Sequence, residues 1–144
     1  MATYTSTRTA AGVPAKYMEK GLFCDIATYE AAGSSNADAN DVIQMINVAA
    51  GVTVVDMYLA YDDCGTLTVD VGDGDDVDRF MDGVDVGAGG GLARMGANIT
   101  AGTFTAFPKK YTTADTIDIK ILTGAATGTL TLCVVMTAED MDLT

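Results

Sequence analysis

An aspartate-rich segment is the strongest candidate for chemistry in this chain of 144 residues. It runs from Gly72 to Asp85 and follows an apolar run. Clustered carboxylates are what a hard cation such as Ca²⁺ binds, and the cluster comprises Asp70, Asp73, Asp75, Asp76, Asp78, Asp82 and Asp85. The EF-hand spacing fails, because counting from Asp73 places Val77 fifth and Val84 twelfth. A calcium site of another geometry therefore stays open beside the simpler interpretation, a solvated loop with one capped helical turn.

Three other segments resemble functional motifs, and each has a simpler structural interpretation. In Asp62-Asp63-Cys64-Gly65, two carboxylates raise the pKa of the neighbouring thiol and make it a poor nucleophile, so a β-turn is predicted. The glycine run Gly87–Gly91 lacks the spacing and the lysine of a phosphate loop, so a flexible linker or wide turn is predicted. The two lysines in Phe104–Tyr111 are more typical of an edge strand, where lysine prevents pairing with another chain, than of a nucleic-acid site.

The residue types needed for most catalytic sites are missing. Histidine is absent, which removes the common triads and the commonest transition-metal ligand. Carboxylate pairs of the glycosidase kind have no recognisable pattern among the 20 acidic residues. Cys24, Cys64 and Cys133 are odd in number and far apart, which predicts buried free thiols and a reducing compartment. We therefore predict no enzyme, no catalytic or metal-binding residue and no cofactor.

Charge and hydropathy limit the partners. The formal net charge is −12, so the phosphate backbone would repel the chain and nucleic acid is not an expected partner. The first residues contain no apolar core of a signal peptide, and no apolar stretch is long enough to span a membrane. With 49% hydrophobic residues, the chain has enough apolar material for one folded domain.

Short runs with alternating apolar residues predict an all-β protein with about seven or eight strands, an antiparallel sandwich or jelly roll. These runs are Gly21–Tyr29, Asp41–Val48, Val52–Tyr61, Thr66–Val71, Leu92–Ile99, Gly102–Phe107, Thr116–Thr123 and Thr129–Met136. Short connections predict two hairpins, one formed by Val52–Tyr61 with Thr66–Val71 and one by the last two runs. The spacing of Val77, Phe80 and Met81 predicts a helical turn over Asp75–Met81.

Alternation also assigns faces within the strands. In Val52–Tyr61 it places Thr53, Val55, Met57, Leu59 and Tyr61 together, and both faces are apolar enough for a central strand covered on both sides. In Asp41–Val48 it places Val42, Gln44 and Ile46 on one side.

Residues 1–20 lack any period and carry a small excess of basic residues, so we predict an extended N-terminal arm, followed by a sandwich domain over residues 21–144.

Two motifs resemble those of small β-rich virion proteins of tailed bacteriophages. One is the GDxxDxDxF-like segment, and the other is a C-terminal YTAADTI…GxATGTL-like segment. The matching residues are Gly72, Asp73, Asp76, Asp78 and Phe80, then Tyr111, Thr112, Ala114, Asp115, Thr116 and Ile117, and finally Gly124, Ala126, Thr127, Gly128, Thr129 and Leu130. The likeness extends from about Val52 to Met136, and these proteins resemble capsid decoration, or cement, proteins.

The resemblance implies a jelly-roll-like sandwich, usually a homotrimer, on the outside of the phage head. The expected partners are the major capsid protein and further copies of the chain, in a virion assembled in the host cytoplasm. We expect the arm and the acidic loop Gly72–Asp85 to lie near a contact. The alternatives are a calcium- or carbohydrate-binding sandwich module and another virion component, such as a head-fibre base or a tail protein.

Overall fold

Two β-sheets packed face to face form the protein. The computed structural model describes residues 1–6, 21–31, 36–87, 89–100 and 102–138. These residues form ten strands and no helix: β1 (Thr3–Thr5), β2 (Gly21–Glu30), β3 (Val42–Val48), β4 (Val52–Tyr61), β5 (Thr68–Asp73), β6 (Met81–Asp85), β7 (Gly91–Arg94), β8 (Lys109–Lys110), β9 (Asp115–Thr123) and β10 (Thr129–Ala138). The predicted all-β sandwich is confirmed, and no described helix is long and apolar enough to cross a membrane.

Each sheet is mainly antiparallel. Sheet A has the order β1-β3-β9-β5-β6, and sheet B has the order β2-β10-β4-β7, with β8 paired to β4. Strand β1 is the exception, because it pairs with β3 in parallel. The first residues of the predicted arm therefore belong to sheet A, and Ser6 is fully buried. Residues 7–20 lie outside the described residues, so the division into an arm and a sandwich stays a prediction.

The core lies between the sheets and is filled by the side chains that alternation predicts to point inward. They include the following residues, none of which is solvent-exposed: Leu67, Val69, Val71, Ile117, Ile119, Ile121, Leu130, Leu132, Val134 and Met136. Burial of each such side chain contributes roughly 1.5–3 kcal/mol. The β-branched residues that favour extended backbone thus also supply the main stabilisation of the sandwich.

Both predicted hairpins are wrong, because each connection leads from one sheet to the other. Residues 62–67 carry the chain from β4 in sheet B to β5 in sheet A, and residues 124–128 carry it from β9 in sheet A to β10 in sheet B. The two connections lie against each other, since a Cβ at Gly128 would meet Asp62 Oδ1 and the Asp63 carbonyl oxygen. Each connection also buries a small side chain, Cys64 or Ala126, at 1% exposure. Five or six residues readily span the roughly 10 Å between stacked sheets, so loop length alone did not distinguish the two arrangements.

Two β-bulges overturn the predicted faces. In β4 the pairing with β10 shifts so that Val55 is the extra residue, and the buried side chains change from Val52 and Val54 to Met57 and Leu59. The strand is central in its sheet, as predicted, but one side stays partly exposed. In β3 the extra residue is Met45. A single inserted residue reverses the alternation beyond it, so a strictly periodic prediction fails there.

The predicted helical turn over Asp75–Met81 is also wrong. The segment is a tight turn that ends in β6, with Phe80 and Met81 fully buried and Val77 40% exposed. The Asp73 carboxylate accepts the backbone N–H groups of Asp75 and Asp76 at 3.2 and 3.0 Å. This side-chain-to-backbone bonding replaces the bonds of a helical turn.

Three neighbouring segments differ from their predicted form as well. Strand β7 ends at Arg94, because Gly96 and Asn98 have φ values of 94° and 61° that a strand does not adopt. Residues 102–107 form a turn and irregular chain instead of a strand. The start of the glycine run is packed, since Gly87 is buried and a Cβ there would meet the Gly65 carbonyl. The close approach of the backbone at Gly87 thus leaves no room for a side chain.

Candidate docking surfaces

The acidic segment Gly72–Asp85 is organised around one buried carboxylate, which is the last residue of β5. Asp73 is 1% exposed and accepts hydrogen bonds from Arg79 Nε at 2.6 Å and from the Tyr111 hydroxyl at 2.8 Å. It also accepts the two backbone N–H groups described above. Burial, followed by the Asp73 carboxylate, strongly raises the pKa of Tyr111. The oxygens of Asp73 are therefore occupied by protein donors, which makes this residue a structural anchor.

The other carboxylates of the segment divide into two groups. Asp70 is buried and accepts the Gly83 N–H at 2.8 Å, and Asp85 accepts the Gly87 N–H at 2.9 Å. Asp76, Asp78 and Asp82 instead line a polar pocket together with Arg79. A hydrogen bond with Asp78 raises the pKa of Asp76. Within the described part of the chain, no group of three or more His, Cys, Asp or Glu side chains could hold a metal ion.

A second buried carboxylate lies on β9, on the side of the strand opposite Ile117, Ile119 and Ile121. Asp118 is 8% exposed, and one of its oxygens has no hydrogen-bond partner. Burial raises the pKa of Asp118 to about 6, with Asp115 and Asp73 adding to the rise and the Thr116 hydroxyl opposing it. Asp118 pairs across the sheet with Gly72, where a Cβ would meet the backbone of Asp76 and Val77. The acidic loop thus packs against this position.

The thiols occupy three different environments. Cys64 is buried as predicted, and burial together with Asp62 raises its pKa to about 11. Cys133 is half-buried, whereas Cys24 is exposed. The prediction of buried thiols is therefore wrong for Cys24, because β2 turns that side of the strand to the outside of sheet B.

An apolar surface covers much of the outer side of sheet B, and we call it the apolar face. Its members are Leu22, Cys24, Ile26 and Thr28 on β2, Thr131, Cys133 and Val135 on β10, Asp56, Tyr58 and Ala60 on β4, and Leu92 and Arg94 on β7. The exposed fractions of Leu22, Ile26 and Leu92 are 69%, 52% and 64%. The outer side of an antiparallel sheet is usually polar, so this surface is unusual.

The two charged members of the apolar face neutralise one another. Arg94 donates from Nε and Nη2 to the two Asp56 oxygens at 3.2 and 2.9 Å, and the guanidinium lies 5.6 Å from the centre of the Tyr58 ring. The hydrogen bond from Arg94 lowers the pKa of Asp56. A locally neutral, apolar surface on a chain with net charge −12 is the type of region that marks a protein contact.

Comparison with solved structures finds the same fold in phage capsids. A chain from the capsid of Ralstonia phage GP4 superposes with a TM-score of 0.65 and 21% identity, covering 96% of this chain and 99% of the other. A chain from the cyanophage Pam1 capsid gives 0.64 and 17%, covering 88% and 91%. A chain from the acid-stable capsid of Helicobacter pylori bacteriophage KHP30 gives 0.56 and 12%, covering 82% and 87%. No protein-family description and no curated protein matches the sequence.

Proposed function

We propose that this protein is a capsid decoration protein, a non-enzymatic virion component that binds the outside of a phage capsid and stabilises the lattice of the major capsid protein. The observation that carries the proposal is the fold similarity to chains of three phage capsids, which covers 82% to 96% of this chain. The motif resemblance from Val52 to Met136 supports the same function from the sequence.

The apolar face is the surface we assign to the capsid contact. Leu22 and Ile26 are more than half exposed, and burying such a side chain contributes roughly 1.5–3 kcal/mol. Each bound copy would stabilise the assembled shell by mass action, because it binds the lattice and not the separated subunits. A homotrimer, the expected oligomer, would strengthen weak contacts by presenting three faces at once. Assembly in the reducing host cytoplasm agrees with the free thiols.

The test is binding of the full chain to purified capsid shells that lack the decoration protein. Leu22→Glu and Ile26→Glu should each lower the affinity by about tenfold or more, since each places a charge in a desolvated contact. Occupancy is measured by cosedimentation and by electron microscopy, which also shows whether the chain sits on the head exterior. A chain that binds no shell, or that occupies only a fibre base or the tail, contradicts the proposed function.

A matched control separates the apolar face from charge in general. Val77→Glu adds the same charge at an apolar residue that is 40% exposed and lies outside this face. It should leave the affinity for shells unchanged. Loss of binding in Val77→Glu with retention in Ile26→Glu would move the contact from the apolar face to the acidic loop.

The basic residues near the N-terminus provide a separate contact in this proposal. Replacing Arg8, Lys16 and Lys20 with serine removes the cations while leaving β1 in place. Occupancy on shells should fall and should depend less on salt, because screened charge pairs are lost. Unchanged occupancy and salt dependence would exclude a role for these cations in docking.

A further inference from the structure

Two thiols from neighbouring strands lie together within the apolar face. The register pairs Cys24 with Val135 and Cys133 with Ile26, so the two cysteines are diagonal neighbours on β2 and β10. Their side chains share the outer side, because the alternate residues of both strands, such as Ala27 and Val134, are buried in the core. Cys24 is exposed and Cys133 is half-buried, which leaves the pair accessible in the unassembled chain.

We propose that Cys24 and Cys133 form a two-thiolate binding site for a soft d¹⁰ cation such as Cu(I). Thiolates select soft ions of this kind over hard ones. Diagonal neighbours in an antiparallel sheet have Cα atoms roughly 7–8 Å apart, whereas a disulfide is bridged without backbone movement only up to about 7 Å. A bridging ion adds two metal–sulfur bonds of about 2.3 Å each, so this spacing suits a metal bridge better than a direct S–S bond.

The surroundings of the pair favour a soft cation. The apolar side chains of Leu22, Ile26 and Val135 flank the thiols and limit competition from water. A bound cation in turn stabilises the two thiolates.

Binding is an exchange of protons for the metal, with no change of oxidation state. Each thiol loses its proton, two S–H bonds break, two S–Cu bonds form, and the product is a bis-thiolate copper(I) anion. Two protons are released per ion, so the apparent affinity should rise with pH. Cys64 takes no part, because it is 1% exposed in the connection between β4 and β5.

An anaerobic titration of the full chain with Cu(I), in competition with a chromophoric Cu(I) chelator, tests the site. The expected result is one ion per chain, with Cys24→Ser and Cys133→Ser each weakening binding by about 100-fold, because the second thiolate no longer acts at high effective concentration. Cys64→Ala is the matched control and should bind as the unmodified chain does. Circular dichroism confirms that each variant is folded.

Three outcomes would overturn the site: failure of the unmodified chain to compete with the chelator, single-cysteine variants that bind as tightly as the parent, or equal loss in Cys64→Ala. Mass spectrometry after treatment with diamide tests the spacing separately. Rapid formation of an intrachain Cys24–Cys133 disulfide would show that the thiols are too close for the bridge proposed. The site does not depend on the proposed function, since the titration uses the isolated chain and no capsid.

Discussion

The acidic segment Gly72–Asp85 and the apolar face of sheet B contrast with each other. The first buries a charged side chain, whereas the second exposes apolar side chains. Asp73 is buried, and donors from Arg79, Tyr111 and the backbone surround it. Leu22 and Ile26 are apolar, yet more than half of each side chain is exposed. The acidic segment supplies the hydrogen-bond donors for its own buried carboxylate. The apolar face requires a partner to cover its exposed side chains.

This difference indicates which region folds the protein and which region binds. A buried carboxylate with several donors is what folded proteins require for their own stability, so the most conspicuous feature of the sequence is mainly structural. A cluster of exposed apolar side chains marks a surface that a partner buries. Variants in the two regions should therefore have separable effects on unfolding and on binding.

The largest expected loss of stability follows from neutralising the buried carboxylate. Asp73→Asn removes the counterion of Arg79, and breaking such a buried pair costs about 3 kcal/mol. Urea denaturation measures the change in the free energy of unfolding. Asp75→Asn, at an exposed neighbour in the same turn, is the control and should change stability by less than about 0.5 kcal/mol. Equal effects of the two changes would mean that the segment is a solvated loop.

A smaller loss should follow from adding one methyl group under the same loop. A Cβ at Gly72 would meet the backbone of Asp76 and Val77, which cannot move as a flexible side chain can. We expect Gly72→Ala to cost about 2 kcal/mol through overpacking. Gly74→Ala is the matched control, because its Cβ would meet only the Asp115 side chain. Stability of Gly72→Ala equal to that of the parent would show that the loop is not packed on the sheet.

The sequence predicted the strands of sheet A well and their surroundings poorly, and Asp118 shows why. Alternation correctly placed Ile117, Ile119 and Ile121 in the core, because the period of a strand is a local property. The same alternation placed Asp118 on the opposite face of the strand, with no indication that this face is covered. Its burial depends on the loop that packs at Gly72, which is an interaction between distant parts of the chain. No local pattern in β9 could have indicated it.

Sheet membership and the accessible thiol were unpredictable for related reasons. The Asp62–Gly65 connection has the length of a hairpin turn and also of a crossing between sheets, and only the pairing of β4 with β10 decides between them. The single inserted residue Val55 then reverses the faces of β4. Cys24 was assigned to the interior because free cysteine usually is buried, although β2 turns it outward. Pairing between strands that are distant in the sequence thus determined the sheet membership, the faces of β4 and the exposure of Cys24. These three features together create the apolar face.

The buried Asp118 should give a pH dependence opposite to that of most carboxylates. Burial raises its pKa to about 6 in the folded state, whereas an exposed aspartate has a pKa of about 3.9. Its favourable contribution to stability is therefore complete below about pH 4 and is lost as the pH rises through about 6. Asp118→Asn removes this titration. Relative to the parent, the variant should therefore be more stable by about 1–2 kcal/mol at pH 7 and should lose that advantage at pH 4.

The comparison between parent and variant isolates Asp118 from the other groups. Asp41 and Asp56 have lowered pKa values and weaken the protein in acid, but they titrate in both proteins and cancel in the difference. Urea denaturation at several values from pH 4 to pH 8 provides the measurement. A difference that stays constant across this range would show that Asp118 keeps its charge, with its oxygen bonded to a donor such as water.

Substitutions in the apolar face should have the smallest effect on stability, although they should have the largest effect on binding. Leu22→Thr and Ile26→Thr keep side chains that favour extended backbone, and both positions are already more than half exposed. Each change should alter the free energy of unfolding by less than about 0.5 kcal/mol, because little apolar area leaves the core. Thermal and urea unfolding of the isolated chain measure this. A loss above about 1 kcal/mol would mean that these side chains pack within the fold, and the assignment of the apolar face to a partner would then fail.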